Sequence, residues 1–415
     1  MAAKRSHGDG GIDERGPNNW RLRYRANGKR VSVAFSGTKT EARAKLRSLL
    51  DAVSKGEHVD PSKITVGGWI DQWLDAGAPG RKKKRVSQRT LERYSQLLLT
   101  HVKPVLGARP LQQLKALEID RLYAALAAAA EIAPRTQHHV HVVFGASLAT
   151  AARKGLIVVN PMLRVEQVPN PEPQISDDDL TDDSDDEIGE GLDEKQLAAL
   201  IAGFKQSSLF PIVALATAAG ARRNELLALR WTDLDPDKKT LRIERAWEQT
   251  KKFGLRLKPP KTKRGFRTIE LDDGTIKILL AERLRYQRVQ AGIPDGADVD
   301  LSLVRLPGKA LMFPGLAEVG AGFDFTAPRN PRNFSKEFAR RAGLLGFGAT
   351  RFHDLRGIHS TALLDSGIPV HIVAQRIGDD PAVLLRNYVK RKRTKAADAS
   401  LSSAIGALAA GFLGS

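Results

Sequence analysis

The chain has 415 residues, with 66 Lys and Arg against 47 Asp and Glu, a formal net charge of +19 and a pI near 10.1. That is length enough for two or three domains with their own cores, and a charge that calls for a polyanionic partner. The absence of cysteine excludes disulfides, thiolate catalysis and cysteine-based zinc sites. No apolar run of about 18 residues occurs and Met1 to Gly11 lacks the apolar core of a signal peptide, so an intracellular protein without membrane spans is expected.

Residues 19 to 35 alternate as strands do, with Trp20, Leu22 and Tyr24 on one face, then Val31, Val33 and Phe35, and Asn27-Gly28 as a tight hairpin turn between them. Thr38-Lys39-Thr40-Glu41 is a capping box that opens a helix through Ala42, Leu46, Leu49 and Val53. Residues 1–60 thus form a small sheet-plus-helix module carrying Arg21, Arg23, Arg25, Lys29 and Arg30, a basic face that either is merely solvated or meets phosphate.

Residues 63–168 read as helical. Leu91, Tyr94, Leu98 and Val102 share one stripe that Gly107 can end; Ala116 to Ala130 is a second helix. Thr136 to Lys154 is a third, with Val140, Phe144, Leu148 and Ala151 inward and Gly155 as its stop. The run Arg81-Lys82-Lys83-Lys84-Arg85 leads into this bundle and suits phosphate contact. His138 and His141 share a helix face, yet no carboxylate at i+4 or nearby cysteine completes a metal site, so they are read as surface or DNA-facing groups.

Residues 169–191 read as a linker. Between Asp177 and Glu190 stand nine acidic residues and no basic one, so the +19 of the whole chain becomes +28 outside that stretch. Such a run cannot build a core and reads as a tether kept soluble by charge, the alternative being a DNA mimic that rests on a basic cleft.

A new domain, 192–415, opens with Asp193 as N-cap before Leu197, Leu200 and Ile201. Strand-like stretches run from Thr240 to Arg245 and from Phe266 to Leu271, with Lys261 in the loop region between them and Lys258 and Lys263 as rivals. His353 and Arg356, at i and i+3, project from one helix face, and His359 one turn on packs or hydrogen-bonds there. Tyr388 follows, and the tail Ala396 to Phe412 places Leu401, Ile405, Leu408 and Phe412 at helical spacing.

Arg222, Lys261, His353, Arg356 and Tyr388 make a toolkit for opening a phosphodiester without metal. A phenol is a covalent nucleophile once a base takes its proton. Arginine forks hold non-bridging oxygens bidentately and stabilise the pentacovalent transition state. A lysine can protonate the departing sugar oxygen.

These positions resemble the signature of the tyrosine recombinases, or phage integrase family. The stretch from Ala216 to Trp231, with Gly220-Ala221-Arg222-Arg223-Asn224-Glu225 at its centre, resembles the box of the first arginine. Pro260-Lys261-Thr262 followed by Arg267-Thr268-Ile269 resembles the lysine hairpin, His353-Asp354-Leu355-Arg356 the HxxR box, and Arg376-Ile377-Gly378 the box after it, nine residues after whose following Asp379 stands Tyr388. One position departs. Where the family usually has a histidine or tryptophan donor to the phosphate stands Asp379, an acceptor only, which a phosphate repels unless it is protonated or turned onto an arginine such as Arg376 or Arg386.

The resemblance implies a multidomain α+β protein: a small N-terminal β-sheet and helix module that grips arm-type DNA sites, an all-α core-binding bundle of SAM-like type, and a mainly helical catalytic domain with a small antiparallel sheet and a C-terminal docking helix. It implies Arg222 and Arg356 on the scissile phosphate, His353 as base or phosphate donor, Lys261 as acid and Tyr388 as nucleophile, with no cofactor, ATP or metal. Arg21, Arg23, Arg25, Lys82, Lys83, Lys84 and Arg85 become the DNA-binding candidates. Implied partners are double-stranded attachment-site DNA, further copies of the chain in a tetrameric synapse, and host- or element-encoded architectural or directionality factors, in the nucleoid of a prokaryotic cytoplasm. The alternatives are a chromosome or plasmid dimer resolvase, an enzyme like a type IB topoisomerase, and a non-catalytic DNA-binding protein.

Overall fold

The computed structural model describes residues 10–26, 28–56, 58–80, 85–130, 132–169, 192–260, 263–294, 297–315 and 323–392. The chain divides into two compact units, Met1–Thr181 and Asp182–Ser415.

In the first unit, strands β1 (Gly11–Gly16), β2 (Asn19–Ala26) and β3 (Lys29–Ser36) form an antiparallel sheet in the order β1-β2-β3. The period of two decides which residues are buried: Trp20, Leu22, Tyr24 and Ala26 face inward onto Ala42 and Leu46 of the helix Lys39–Ser54, while Arg21, Arg23 and Arg25 face outward. The β2–β3 register closes at Ala26↔Lys29, and Gly28 just before β3 takes φ +76°, a conformation glycine adopts without cost; Asn27 lies outside the described residues. Thr38 and Glu41 cap the helix reciprocally. The edge strand β1 was not among the predicted elements.

Helices Val66–Asp75, Gln88–Leu97, Ala116–Ala129 and Pro134–Arg153 build the second core of this unit around Trp69, Trp73, Leu98, Leu122, Phe144 and Leu148. Leu98 and Val102 are fully buried as their stripe requires, but Leu98–Val102 is a single π turn between Gln88–Leu97 and Lys103–Leu106. Gly107 ends that segment in a right-handed conformation, and the close approach there calls for glycine at 67, where a Cβ would sit 3.1 Å from the Gly107 carbonyl oxygen. His138 and His141 are half-buried and not on the open surface; His138 Nδ1 lies 2.9 Å from the Pro169 carbonyl and burial pushes the His141 pKa down. Among the described residues no group of three His, Cys, Asp or Glu side chains could hold a metal, and no helix is long and apolar enough to cross a membrane.

The second unit packs around the helix Phe210–Ala219, which is apolar on all sides and buried. Asp193 caps the helix Glu194–Phe204 through Gln196. A small antiparallel sheet has the order β4 (Leu234–Asp235), β5 (Thr240–Ile243), β8 (Arg267–Glu270), and a separate hairpin pairs β6 (Ala246–Thr250) with β7 (Gly254–Lys258). Helices Asp354–Asp365, Val370–Ile377 and Pro381–Lys392 follow, the first packed on Phe210–Ala219. The acidic stretch 177–190, Lys82 to Lys84, Lys261 and the tail 396–412 lie outside the described residues.

Candidate active site

The first arginine is set in place by the end of a helix. Gly220 stops Phe210–Ala219 with φ +60°, and a Cβ there would lie 2.4 Å from Cδ2 of His359, so glycine is required twice over. The chain turns extended at Arg222, the N-cap of the short helix Arg223–Leu226. Glu225 accepts both the backbone N–H of Arg222 at 3.0 Å and its Nη1 at 3.2 Å. From β8, Arg267 closes on the same carboxylate, Nη2 to Oε2 at 2.7 Å and Nη1 to Oε1 at 3.3 Å, while its Nε donates to the Arg376 carbonyl. Burial alone would raise the Glu225 pKa; Arg267 and Arg222 outweigh it, and the net shift is downward. Glu225 is therefore a buried anion that fixes the two arginines.

Arg356 enters from the other side. Its guanidinium, almost wholly buried, donates from Nη1 to the carbonyls of Gly220 at 2.8 Å and Ile377 at 2.7 Å. Nη2 meets Asp379 Oδ2 at 2.7 Å, and Nη2 of Arg222 meets Oδ1 of the same carboxylate at 2.9 Å and the Gly378 carbonyl at 3.3 Å. Burial and the nearby Arg222 charge hold the Arg356 pKa down to about 10 against the opposing pull of Asp379, leaving it cationic at neutral pH. For Asp379 burial pushes the pKa up, but Arg356 and Arg222 overcome it and the net shift is down. Asp379 is thus turned onto arginines, as its chemistry requires; the partners are Arg222 and Arg356, whereas Arg376 and Arg386 were the ones anticipated.

Arg376 has a different task. It donates from Nη2 to the carbonyls of Ala218 and Glu270 and from Nε to His359 Nε2 at 3.2 Å. With its Nε2 accepting, His359 donates from Nδ1 to the Thr217 carbonyl at 2.8 Å. Burial and Arg376 push its pKa down to about 4, so the ring is neutral and braces Thr217 next to the glycine turn.

His353 is the half-buried N-cap residue of Asp354–Asp365 and adds to the field that lowers Asp379. Tyr388, half-buried in Pro381–Lys392, donates its hydroxyl to Asp365 Oδ1 at 2.8 Å. Lys258 ends β7 paired with Glu248 Oε1 at 2.6 Å, beside Arg256 on the same carboxylate. Arg264, three residues after Lys261, pairs with Asp380. In the first unit Arg21 donates to Ser32, Arg23 pairs with Asp13 at 2.7 Å, and Arg85 is exposed.

The structure thus joins Arg222, Arg356 and Asp379 directly, with Glu225 and Arg267 beneath them. Sequence reasoning gave no role to Arg267 or Asp365, and gave Arg376 only that of a partner for Asp379, in place of the bracing it performs. Arg267 and Arg376 are members of the quoted boxes, which is the only signal they carry; Asp365, twenty-three residues before Tyr388, carries none.

The Phage integrase family signature matches residues 190–394, and that of the phage integrase N-terminal SAM-like domain matches residues 65–127. The chain is similar to a tyrosine recombinase XerC-like protein of Caldanaerobacter subterraneus, 25% identical over 90% of this chain and 92% of that protein. An integrase of Streptomyces ambofaciens is 27% identical over 94% of each. Among solved structures, the Tn1549 transposon integrase in complex with a circular intermediate DNA covers 82% of this chain and 99% of that one, with a TM-score of 0.59 at 16% identity, a likeness of fold.

Proposed function

Because the chain belongs to the phage integrase family of tyrosine recombinases, which cleave and rejoin DNA through a tyrosine, we propose that it does so with Tyr388 as nucleophile at a phosphodiester held by Arg222 and Arg356. The observation that carries this reading is the convergence of two guanidiniums, from distant parts of the sequence, on the two oxygens of one carboxylate. Carboxylate and phosphate present paired oxygens to an arginine fork in the same way.

The Tyr388 oxygen attacks phosphorus, the bond to the 5′ oxygen breaks, and a 3′-phosphotyrosyl link forms. Lys261 gives the proton to the leaving 5′ oxygen, and His353 takes the phenolic proton or donates to the phosphate. Attack by the 5′-hydroxyl of another strand reverses the step with new connectivity. The phosphotyrosine conserves the bond energy, so the chemistry needs no ATP.

Exchange between two duplexes breaks four strands, one tyrosine each, so four copies of the chain act together on attachment-site DNA. The strongly basic chain and the outward arginines of β2 support a duplex partner gripped at more than the cleavage point. The Streptomyces relative, named an integrase and matched over nearly its whole length, supports integration and excision of a phage or mobile element over dimer resolution.

The test is a nicked suicide duplex carrying the element's junction sequence. Wild type is expected to leave a protein–DNA adduct that survives denaturant and forms in excess EDTA, and Tyr388→Phe to bind the duplex without forming it. An adduct with the Phe variant would show that another residue is the nucleophile.

A further inference from the structure

Both oxygens of Asp379 are in use, one on each arginine, at 2.9 Å from Arg222 Nη2 and 2.7 Å from Arg356 Nη2. Nη1 of Arg356 is committed to two backbone carbonyls, so its Nη2 and that of Arg222 are the donors the carboxylate occupies. A phosphodiester and an ionised carboxylate cannot share those donors, since like charges at this distance repel. Resting on the reading of Arg222 and Arg356 as the phosphate holders, we propose that Asp379 is a resident anion that keeps the seat closed, so that DNA enters only by exchanging one anion for another.

The surrounding chain suits a side chain that leaves while its backbone stays. Gly378 caps Val370–Ile377 at φ +73°, the Asp379 N–H donates to the Ala374 carbonyl at 2.9 Å, and Pro381 opens the next helix. Rotation about the Asp379 side-chain bonds therefore suffices to vacate the seat. The next residue, Asp380, holds Arg264 of the 3-10 turn Lys263–Gly265, so two neighbouring carboxylates tie down the arginine pair and that turn. The tyrosine helix begins immediately after them.

Exchange of anion for anion has a functional result. A phosphate that merely drifts into the site gains little, because it must displace a carboxylate of equal charge. A duplex already held elsewhere by the protein supplies the difference. The closed seat lowers apparent affinity by the fraction of molecules that are open, and so discriminates against cleavage at casual encounters.

Inorganic sulfate on the full-length protein reads the seat without any chemistry, with calorimetric titration and the thermal midpoint compared with chloride at equal ionic strength. Asp379→Asn is expected to bind sulfate at least about tenfold more tightly than wild type, the gain from removing a mostly closed state. That gain should vanish when Arg356→Gln is added. Asp379→Ser serves the same comparison if the amide does not fold. Equal sulfate binding by wild type and both variants, or no binding by any of them, would overturn the proposal. Adduct formation at Tyr388 is scored separately: an adduct with no Asp379-dependent sulfate response leaves the recombinase reading standing and removes the gate. A sulfate gain without an adduct keeps the closed seat and removes the nucleophile assignment.

Discussion

The outward arginines of β2 and the sunken arginines of the second unit are the same residue put to opposite uses. Arg23 stands more than half exposed with Asp13 as its partner, placed by nothing but the alternation of a strand. Arg267 is 5% exposed, and its side-chain hydrogen bonds among the described residues go to the buried Glu225 carboxylate and the carbonyls of Gly265 and Arg376. A guanidinium in water is a replaceable cation whose neighbours barely notice it. One surrounded by carbonyls and carboxylates is a fixed geometric part, because its loss strands the groups it satisfied.

Removing the deepest member is the hardest blow to that distinction. Arg267→Ala leaves Glu225 buried beneath Arg222 with half its compensation gone and is expected to cost about 3–5 kcal/mol of stability, read from urea unfolding. Arg23→Ala should cost under about 1 kcal/mol. Similar losses from both would erase the difference between the two sets.

Acid probes the same buried layer through His359. Its folded pKa of about 4 lies below the ordinary 6.5, so between those values the unfolded chain takes up a proton that the folded chain refuses. Stability contributed here is therefore full above about pH 6.5 and is lost as pH falls toward 4, by about 3 kcal/mol across the window. His359→Asn should flatten that part of the pH–stability curve. An unchanged slope would mean that the ring is already protonated beside Arg376.

Geometry can be tested apart from charge. Arg356→Lys keeps the cation but loses the fork, and single-turnover cleavage is expected to slow by an amount worth about 2 kcal/mol or more. Arg25→Lys, on the sheet, should leave that rate unchanged. Near-normal cleavage by Arg356→Lys would take this residue out of the site. The mildest change is Arg25→Gln, expected to lower the salt slope of duplex binding by about 0.9 if the residue neutralises one phosphate; a slope equal to wild type would assign the outer face of β2 to solvent.

What could be read beforehand follows from the same physics. The Thr38 capping box, Asp193 as N-cap and the inward stripe of Val140, Phe144, Leu148 and Ala151 are local signals, fixed by neighbours three or four residues away, and the structure has all of them. The boxes around Arg222 and Arg356 were legible through the resemblance they carry, and the structure brings the two arginines together on Asp379. Elements that draw stability from partners far along the chain were not. β1 holds its place by pairing with β2 while its own side chains are half-exposed, so no alternation marks it. The β6–β7 hairpin hides because Trp247 and the adjacent Glu248 are both buried, the latter satisfied by Arg256 and Lys258. Val66–Asp75 carries two glycines, poor helix formers, in its first turn and is held by the Thr65 cap and by Trp69, Ile70 and Trp73 in the core. The double grip on Asp379 spans 157 residues of chain to Arg222, beyond any local pattern.

The widened turn at Leu98–Val102 bears on how such a bundle can vary in length. A π turn holds one more residue than the α-helical path around it needs, and it absorbs the surplus without altering the phase of the helix on either side. Leu97 and Leu98 before the midpoint, and Val102 and Leu106 after it, all still reach the core. A chain one residue shorter at this place would run as plain α-helix through the same stripe. Here the bundle can lose a residue, or carry one in excess, while the surface it packs together stays the same.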